Sequence, residues 1–384
     1  MELYIHIPFC AQKCRYCDFL SMAADEETKN RYVEALMCEI SYYGKQEKET
    51  DKALETVYFG GGTPSVIGSP NLVRILDCVK KYFPLKAECE VTVEVNPATI
   101  DGAGLCQLYE NGVNRLSIGL QSAHNEELRL LGRIHGYEDF VKVFSQAREA
   151  GFGNINVDLL SALPGQSVEA YKDSLQRVIM LKPEHISSYS LILEEGTPFY
   201  ESYVNRPEQL PDEETDRAMY HLTKELLKSA GYERYEISNY AKPGFESKHN
   251  SGYWKRVPYL GVGLGASSFL GGKRWKNAGN LKEYLQNWQK RDENYVCKPQ
   301  FEEFYALSLQ DEMAEYLYLG LRMSRGISIK GFEECFGKRL FDVYGHEILK
   351  LEREGLLVVE EGTDRLYLTD FGMDVSNYVF ERFV

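Results

Sequence analysis

Cys10-Ala-Gln-Lys-Cys14-Arg-Tyr-Cys17 follows directly on the apolar run Leu3-Tyr-Ile-His-Ile-Pro-Phe9. Three thiols within eight residues, placed where a strand gives way to a loop, must converge on one object if they act together. Thiolates are the soft ligands that iron–sulfur clusters require. A four-iron cubane held by three cysteines keeps one iron open to a small chelating molecule. A zinc knuckle or three unconnected thiols are the alternatives. A structural zinc site asks for a fourth ligand at finger-like spacing, and Phe19 stands where a near fourth cysteine would be.

The chain behind this loop keeps a regular beat. Helical periodicity over Glu26 to Tyr43 precedes a short apolar strand, Thr56-Val-Tyr-Phe59, that ends in three glycines. Helices are expected from Pro70 to Phe83, Asp101 to Glu110, Tyr137 to Ala150 and Val168 to Leu181. Strands fall between them at Cys89–Val95, Asn114–Ile118, Asn154–Leu159 and His185–Ser190. Strands alternating with helices imply parallel βαβ units. The fold class expected is therefore α/β, a partial (β/α)6 TIM-like barrel, with its chemistry at the C-terminal strand ends. The cysteine loop and the triple glycine both sit at such ends.

A turn-rich segment, Glu194 to Asp212, reads as a loop or lid before a helix over Glu213 to Ala230. A less regular connecting region over residues 236–298 carries His249-Asn-Ser-Gly-Tyr-Trp254 and the small-residue stretch Leu260 to Ser268. Residues 1–235 are then the barrel core. Residues 299–384 read as acidic and aromatic helices followed by a hairpin, a smaller mixed helical, winged-helix-like domain.

Composition narrows the function. The formal net charge is -14, and acidic side chains outnumber basic ones 17 to 9 over residues 301–384, so the wing is no reader of nucleic acid. Nine cysteines behind an N-terminus that opens Met-Glu-Leu-Tyr, without a secretory leader, suit a reducing cytoplasm. No apolar run reaches the eighteen or so residues that span a bilayer, so any membrane association would be peripheral.

Polar side chains appear at strand ends where a core needs none. Phe59-Gly60-Gly61-Gly62-Thr63-Pro64 lets the backbone approach a ligand and offer it carbonyls and amides. Glu94, Gln121 and Asp158 close or interrupt later strands, and a buried carboxylate needs a partner. Arg133 is a candidate for that role, in an ion-pair network across the rim. Around a cluster loop the same set suits a nucleoside with ribose hydroxyls and a charged methionine tail. His249, Asn250, Tyr253 and Trp254 combine an imidazole with large aromatics in a loop. They read either as a satisfied histidine or as a haem site, since imidazole is a common axial haem ligand and aromatic faces suit a porphyrin.

The C-x3-C-x2-C spacing resembles the signature of radical S-adenosylmethionine (SAM) proteins. Tyr4 to Cys10, Phe59 to Pro64, Glu94 to Pro97, Ser117 to Ser122 and Asp158 to Gly165 resemble the coproporphyrinogen dehydrogenase-like branch of that superfamily over essentially the whole chain. The resemblance implies that Cys10, Cys14 and Cys17 hold a [4Fe–4S] cluster, and that Tyr4, Tyr16, Gly61, Gly62, Thr63, Glu94, Gln121, Arg133 and Asp158 line SAM sites.

Two sub-branches share these motifs. The oxygen-independent coproporphyrinogen III oxidases carry a fourth cysteine two residues after the third, and an arm before the barrel. Here the position is Phe19, and three residues precede Tyr4. The radical SAM haem chaperone (HemW-type) family has the phenylalanine and an H-N-x-x-Y-W motif, met here by His249, Asn250, Tyr253 and Trp254. That resemblance implies haem binding and transfer to haem-requiring respiratory proteins, with no coproporphyrinogen oxidase activity. Oxidase activity in porphyrin biosynthesis is the alternative.

Overall fold

The computed structural model describes residues 1–46, 53–289, 297–360 and 362–384. Part of the expected connecting region, 290–296, therefore lies outside the described residues.

Six strands, β1 (Glu2–Ile7), β2 (Leu54–Gly61), β3 (Leu85–Val95), β4 (Arg115–Gln121), β5 (Ile155–Ser161) and β6 (His185–Ser190), pair in sequence order and all in parallel. The helices between them are α1 (Glu26–Lys45), α2 (Ser69–Tyr82), α3 (Gly102–Glu110), α4 (Asn125–Leu131), α5 (Tyr137–Glu149) and α6 (Val168–Leu181). Side chains at the helix starts accept the free amides that begin each turn: Asp25 takes the Thr28 N–H, Asp101 that of Gly104, and Ser167 that of Ala170. The buried face of α2 is Leu72, Ile75, Leu76 and Val79, a stripe at helical spacing. It packs with Val57, Phe59, Val91 and Val93 of the neighbouring strands in one continuous core.

The other face of the strands is unusual. Parallel strands covered on both sides are ordinarily continuous apolar runs. Here every second residue is polar: Glu2, Tyr4 and His6 on β1, Thr56 and Tyr58 on β2, Glu90, Thr92 and Glu94 on β3, Arg115 and Ser117 on β4, Asn156 and Asp158 on β5, His185 and Ser187 on β6. The register stacks them in layers, with Tyr4 beside Tyr58, Tyr58 beside Thr92, Glu94 beside Ser117 and Ser117 beside Asn156. The barrel is thus packed with apolar side chains outside and lined with polar ones inside.

Beyond β6 the chain adds α7 (Pro198–Tyr203), α8 (Glu213–Ser229), β7 (Glu233–Arg234), β8 (Asn239–Ala241), α9 (Lys248–Trp254), β9 (Tyr259–Val262), β10 (Ser267–Leu270), β11 (Lys273–Asn277), α10 (Leu281–Trp288) and β12 (Phe301–Ala306). One twelve-stranded sheet runs β12-β11-β10-β9-β1-β2-β3-β4-β5-β6-β8-β7, so the partial barrel is open and extended at both edges. β9 joins β1 in parallel, and β8 joins β6 antiparallel.

Three sequence expectations change here. The small-residue stretch from Leu260 is a strand pair and not irregular. Its glycines conceal the strand pattern yet are required, since a Cβ on Gly261 would lie 2.1 Å from the Ser267 carbonyl oxygen. His249 to Trp254 is helical, not a loop, capped by the Ser247 hydroxyl. The segment after Pro299 opens with an edge strand, β12, whose residues are exposed throughout and which pairs with β11. Its alternation therefore carries no burial signal.

The C-terminal part holds α11 (Leu309–Gly320), β13 (Ile327–Ser328), α12 (Ile329–Phe336), α13 (Leu340–Arg353), β14 (Leu357–Glu360), β15 (Arg365–Leu368), α14 (Asp370–Asp374) and α15 (Ser376–Phe380). Helices followed by a three-stranded wing, β13-β15-β14, match the winged-helix-like order. Leu317, Leu321, Phe332, Ile348, Leu351 and Leu366 form its own core. Arg274, on β11, forks onto the Glu315 carboxylate of α11 at 2.7 and 3.0 Å and ties this part to the sheet.

Candidate functional site

The cysteine loop leaves β1 at the C-terminal rim and is lashed down at both ends. The Cys10 amide donates to the Met22 carbonyl at 3.0 Å and the Met22 amide to that of Pro8 at 2.8 Å. Further on, the Arg15 amide reaches Leu131 O and the Phe199 amide reaches Arg15 O. α7, expected only as loop or lid, thereby clamps the outer side of the loop. All three thiols are free and partly exposed, and all face one cavity of about 490 Å³ inside the barrel mouth.

Among the described residues no three His, Cys, Asp or Glu side chains close around a point that a single metal ion could occupy. A cubane holds its thiolates on separate corners and asks for wider spacing than a single ion does.

The glycine turn is bolted to this loop. The Gly62 amide donates to Ile7 O at 2.9 Å and the Thr63 amide to Phe9 O at 2.7 Å, while the Thr63 hydroxyl lies 3.5 Å from Cys10 Sγ. Gly61 has φ 111°, and a Cβ there would meet the His6 ring at 2.5 Å. Only glycine meets both conditions. On the far side of the mouth, Gln121 ends β4 with φ 76°, a left-handed conformation that a non-glycine residue keeps only where its surroundings impose it.

Tyr4, Tyr16, Gly61, Gly62, Thr63, Glu94, Gln121, Arg133 and Asp158 all line the same cavity as the thiols. Burial pushes the Glu94 carboxyl up to about 7, against the Tyr58 hydroxyl that donates to it at 2.8 Å. Asp158 is also raised by burial, and it accepts from Asn156 at 2.7 Å and from Ser117 at 3.2 Å. The Tyr16 hydroxyl is raised by burial too.

Among the described residues the expected ion-pair network across the rim is not formed. Arg133 donates to the Gly119 carbonyl and, at 3.5 Å, to Cys14 Sγ, so it braces the cysteine loop while neutral donors hold the two carboxyls. Spacing along the chain could not reveal that choice of partner.

The H-N-x-x-Y-W residues part company. α9 lies across the lower barrel, where Glu90 accepts the amides of Lys248 and His249 at 3.1 and 3.2 Å. The His249 ring is 1% exposed and stacks 4.9 Å from Tyr58. Its Nδ1 meets the Thr56 hydroxyl at 2.6 Å and its Nε2 the Tyr253 hydroxyl at 2.8 Å. Burial holds its pKa down, to about 3, so the ring is neutral. With both nitrogens engaged and the ring enclosed, His249 does not fit as an axial ligand to haem iron.

His249, Asn250 and Tyr253 line the cavity that the thiols face, but Trp254 does not. Trp254 faces an adjoining cleft of about 670 Å³ that also touches Phe19, Leu20, Tyr259 and Leu319. The Arg322 guanidinium covers its ring at 4.3 Å. Phe19 is 62% exposed and borders both spaces.

Sequence reasoning missed other parts of the lining, among them Tyr58, Arg115, Ser117, Asn156, Ser187 and Tyr189. The signal was present in His185-Ile-Ser-Ser-Tyr-Ser190 and Arg115-Leu-Ser-Ile-Gly119, polar at every second place in strands that should be apolar on both faces.

Residues 4–178 match the family model described as the radical SAM superfamily, and residues 307–375 match the HemN C-terminal domain. The heme chaperone HemW of Lactococcus lactis subsp. lactis is 37% identical over 383 residues, covering 99% of this chain and 96% of that protein. The heme chaperone HemW of Bacillus subtilis is 35% identical, covering 99% and 98%. Among solved structures, coproporphyrinogen III oxidase (HemN) from Escherichia coli, described as a radical SAM enzyme, superposes with a TM-score of 0.84 at 25% identity, covering 100% of this chain and 89% of that one.

Proposed function

The chain belongs to the HemW family of radical SAM proteins, and on that premise we propose that it binds haem and hands it to haem-requiring acceptor proteins, respiratory ones among them. The observation that carries this reading is likeness along almost the whole chain to proteins named heme chaperone, against 25% identity to the oxidase that shares the fold.

Cys10, Cys14 and Cys17 hold a [4Fe–4S] cluster in this reading, and the donor set suits it: three soft ligands on one loop, with Arg133 beside Cys14 to face the negative charge of the thiolates. When bound there, such a cluster would supply an electron-transfer centre and a place for the methionine end of SAM. Around it the chain's own groups bind and orient. The turn at Gly61, Gly62 and Thr63 offers backbone amides and carbonyls at close range. Glu94 and Asp158 offer carboxyl oxygens to ribose hydroxyls, and Gln121 with Tyr16 closes the far wall. Tyr4 backs the floor of that subsite, its hydroxyl 3.0 Å from His6 Nδ1.

Haem is held without iron ligation by His249. The motif residues serve this function by closing the lower barrel. None of the described helices is long and apolar enough to cross a membrane.

Titration of cluster-loaded protein with haem, followed at the Soret band, tests the proposal. Saturation at a fixed stoichiometry is expected, and a featureless linear rise would end it. Anaerobic incubation with reductant, SAM and coproporphyrinogen is expected to give no protoporphyrinogen. Product formation would restore the oxidase alternative.

A further inference from the structure

Arg115 is the largest fully buried side chain of the protein, 1% exposed, and it lines the cluster cavity. It opens β4, beside Thr92 of β3, one layer below Glu94 and Ser117. Its Nε is enclosed and has no hydrogen-bond partner, and neither does the enclosed Thr92 hydroxyl next to it. Among the described residues the guanidinium enters no ion pair. Its charge is felt by Glu94 and Asp158, which bound the same cavity, yet neither carboxylate approaches it to ion-pair distance. A guanidinium cannot shed its proton to escape this cost, as a lysine or histidine can.

We propose that Arg115 anchors the carboxylate of a second ligand, seated in the lower half of the barrel beneath the SAM subsite. The planar fork of a guanidinium matches a carboxylate with two parallel hydrogen bonds. Phosphate would fit the fork equally well, but its second charge would face Glu94 and Asp158 across the cavity, which favours a monoanion. Ser117, Asn156, Ser187 and Tyr189 line the space between and supply neutral polar contacts for the rest of such a molecule.

The methionine carboxylate of SAM does not meet Arg115. The cysteine loop stands at the end of the barrel where Gln121 closes β4, and the six residue-to-residue steps of strand from Arg115 to Gln121 span roughly 20 Å. A group that chelates an iron at the rim is out of reach of a side chain rooted at the floor. The ligand assigned here is therefore separate from SAM, and the inference stands whether or not the protein carries haem.

Butyrate is the probe, with the neutral isostere butyramide as its control. Saturation-transfer NMR on the cluster-loaded full chain is expected to show butyrate binding and at least tenfold weaker binding of butyramide. Arg115→Met is expected to abolish the butyrate signal, and Arg115→Lys, which keeps the charge but loses the fork, to reduce it. Equal signals from butyrate and butyramide, or an undiminished signal in Arg115→Met, would overturn the assignment. Should Arg115→Met not fold, a wild-type crystal soaked in butyrate decides alone. Carboxylate density on the guanidinium supports the site, and only water there removes it.

Discussion

The rim and the floor of the barrel are built from similar side chains and put to opposite use. At the rim, three thiols, a glycine turn and a left-handed Gln121 converge on open space, with hydrogen bonds that fix the backbone and leave ligating atoms facing inward. At the floor, the polar atoms of His249, Thr56, Tyr253 and Glu90 are turned on one another. A cysteine motif and a histidine motif look equally functional in the sequence. The difference between them is whether the donor atoms still have somewhere to go. Arg115 departs from this pattern at the floor, as a polar group that still faces open space.

The largest effect that separates the two regions comes from Cys14→Ser. Iron analysis of reconstituted protein is expected to fall from a full cubane to near zero, with the fold kept, because the loop is held by backbone contacts and not by the thiols. Full iron retention would erase the distinction at the rim.

His249→Ala should do the reverse. Removing the ring leaves a cavity and strands the Thr56 and Tyr253 hydroxyls, a loss of roughly 3 kcal/mol in denaturant unfolding, while the haem stoichiometry read at the Soret band stays the same. Lost haem binding with unaltered stability would make the floor a ligand site after all.

Glu94→Gln probes the boundary between the regions. SAM affinity by calorimetry should drop about tenfold, or about 1.4 kcal/mol, with iron content intact. Since burial raises the Glu94 carboxyl to about 7 and the ionised form is the stronger acceptor for ribose hydroxyls, wild-type affinity should rise as pH increases through that value. The variant should show a flat profile.

The finest test is the pH dependence of stability. His249 is neutral when folded, with its pKa held to about 3 against an ordinary value near 6.5. The unfolded chain therefore binds a proton that the folded chain does not. This contribution is fully present above pH 6.5 and is lost as pH falls below it, at up to about 1.4 kcal/mol per pH unit for one proton. His249→Asn should remove one proton's worth of slope between pH 6.5 and 5. An unchanged slope would mean that the ring is accessible.

The six βα units were legible because helical stripes such as Leu72, Ile75, Leu76 and Val79 and the apolar strand faces repeat with their own periods. The rim was legible because its residues lie in short, specific spacings. β9 to β12 were not: Gly261 and Gly263 break the strand pattern for steric reasons, and β12 is an exposed edge with nothing buried to mark it. α4 and α9, at seven residues each, are too short for periodicity to register. Arg115 follows an asparagine at a strand start, where a charged residue ordinarily meets solvent. Only the register that sets it beside Thr92 shows it to be inside. The roles of Arg133 and His249 depended on partners more than one hundred residues away, Cys14 and Thr56, which no local pattern encodes.

The pairing of β1 with β9 sets Glu2 against Tyr259. In a chain emerging from the ribosome, the strand that carries the cysteine loop therefore keeps an open edge, and the lower barrel lacks α9, until more than two hundred further residues have followed that loop. Tyr259 follows Cys10 by more than two hundred residues, so the supporting wall of the cysteines arrives long after them. Such distant pairing is slow to form. A truncated or stalled product displays three exposed thiols without the pocket that gives them selectivity.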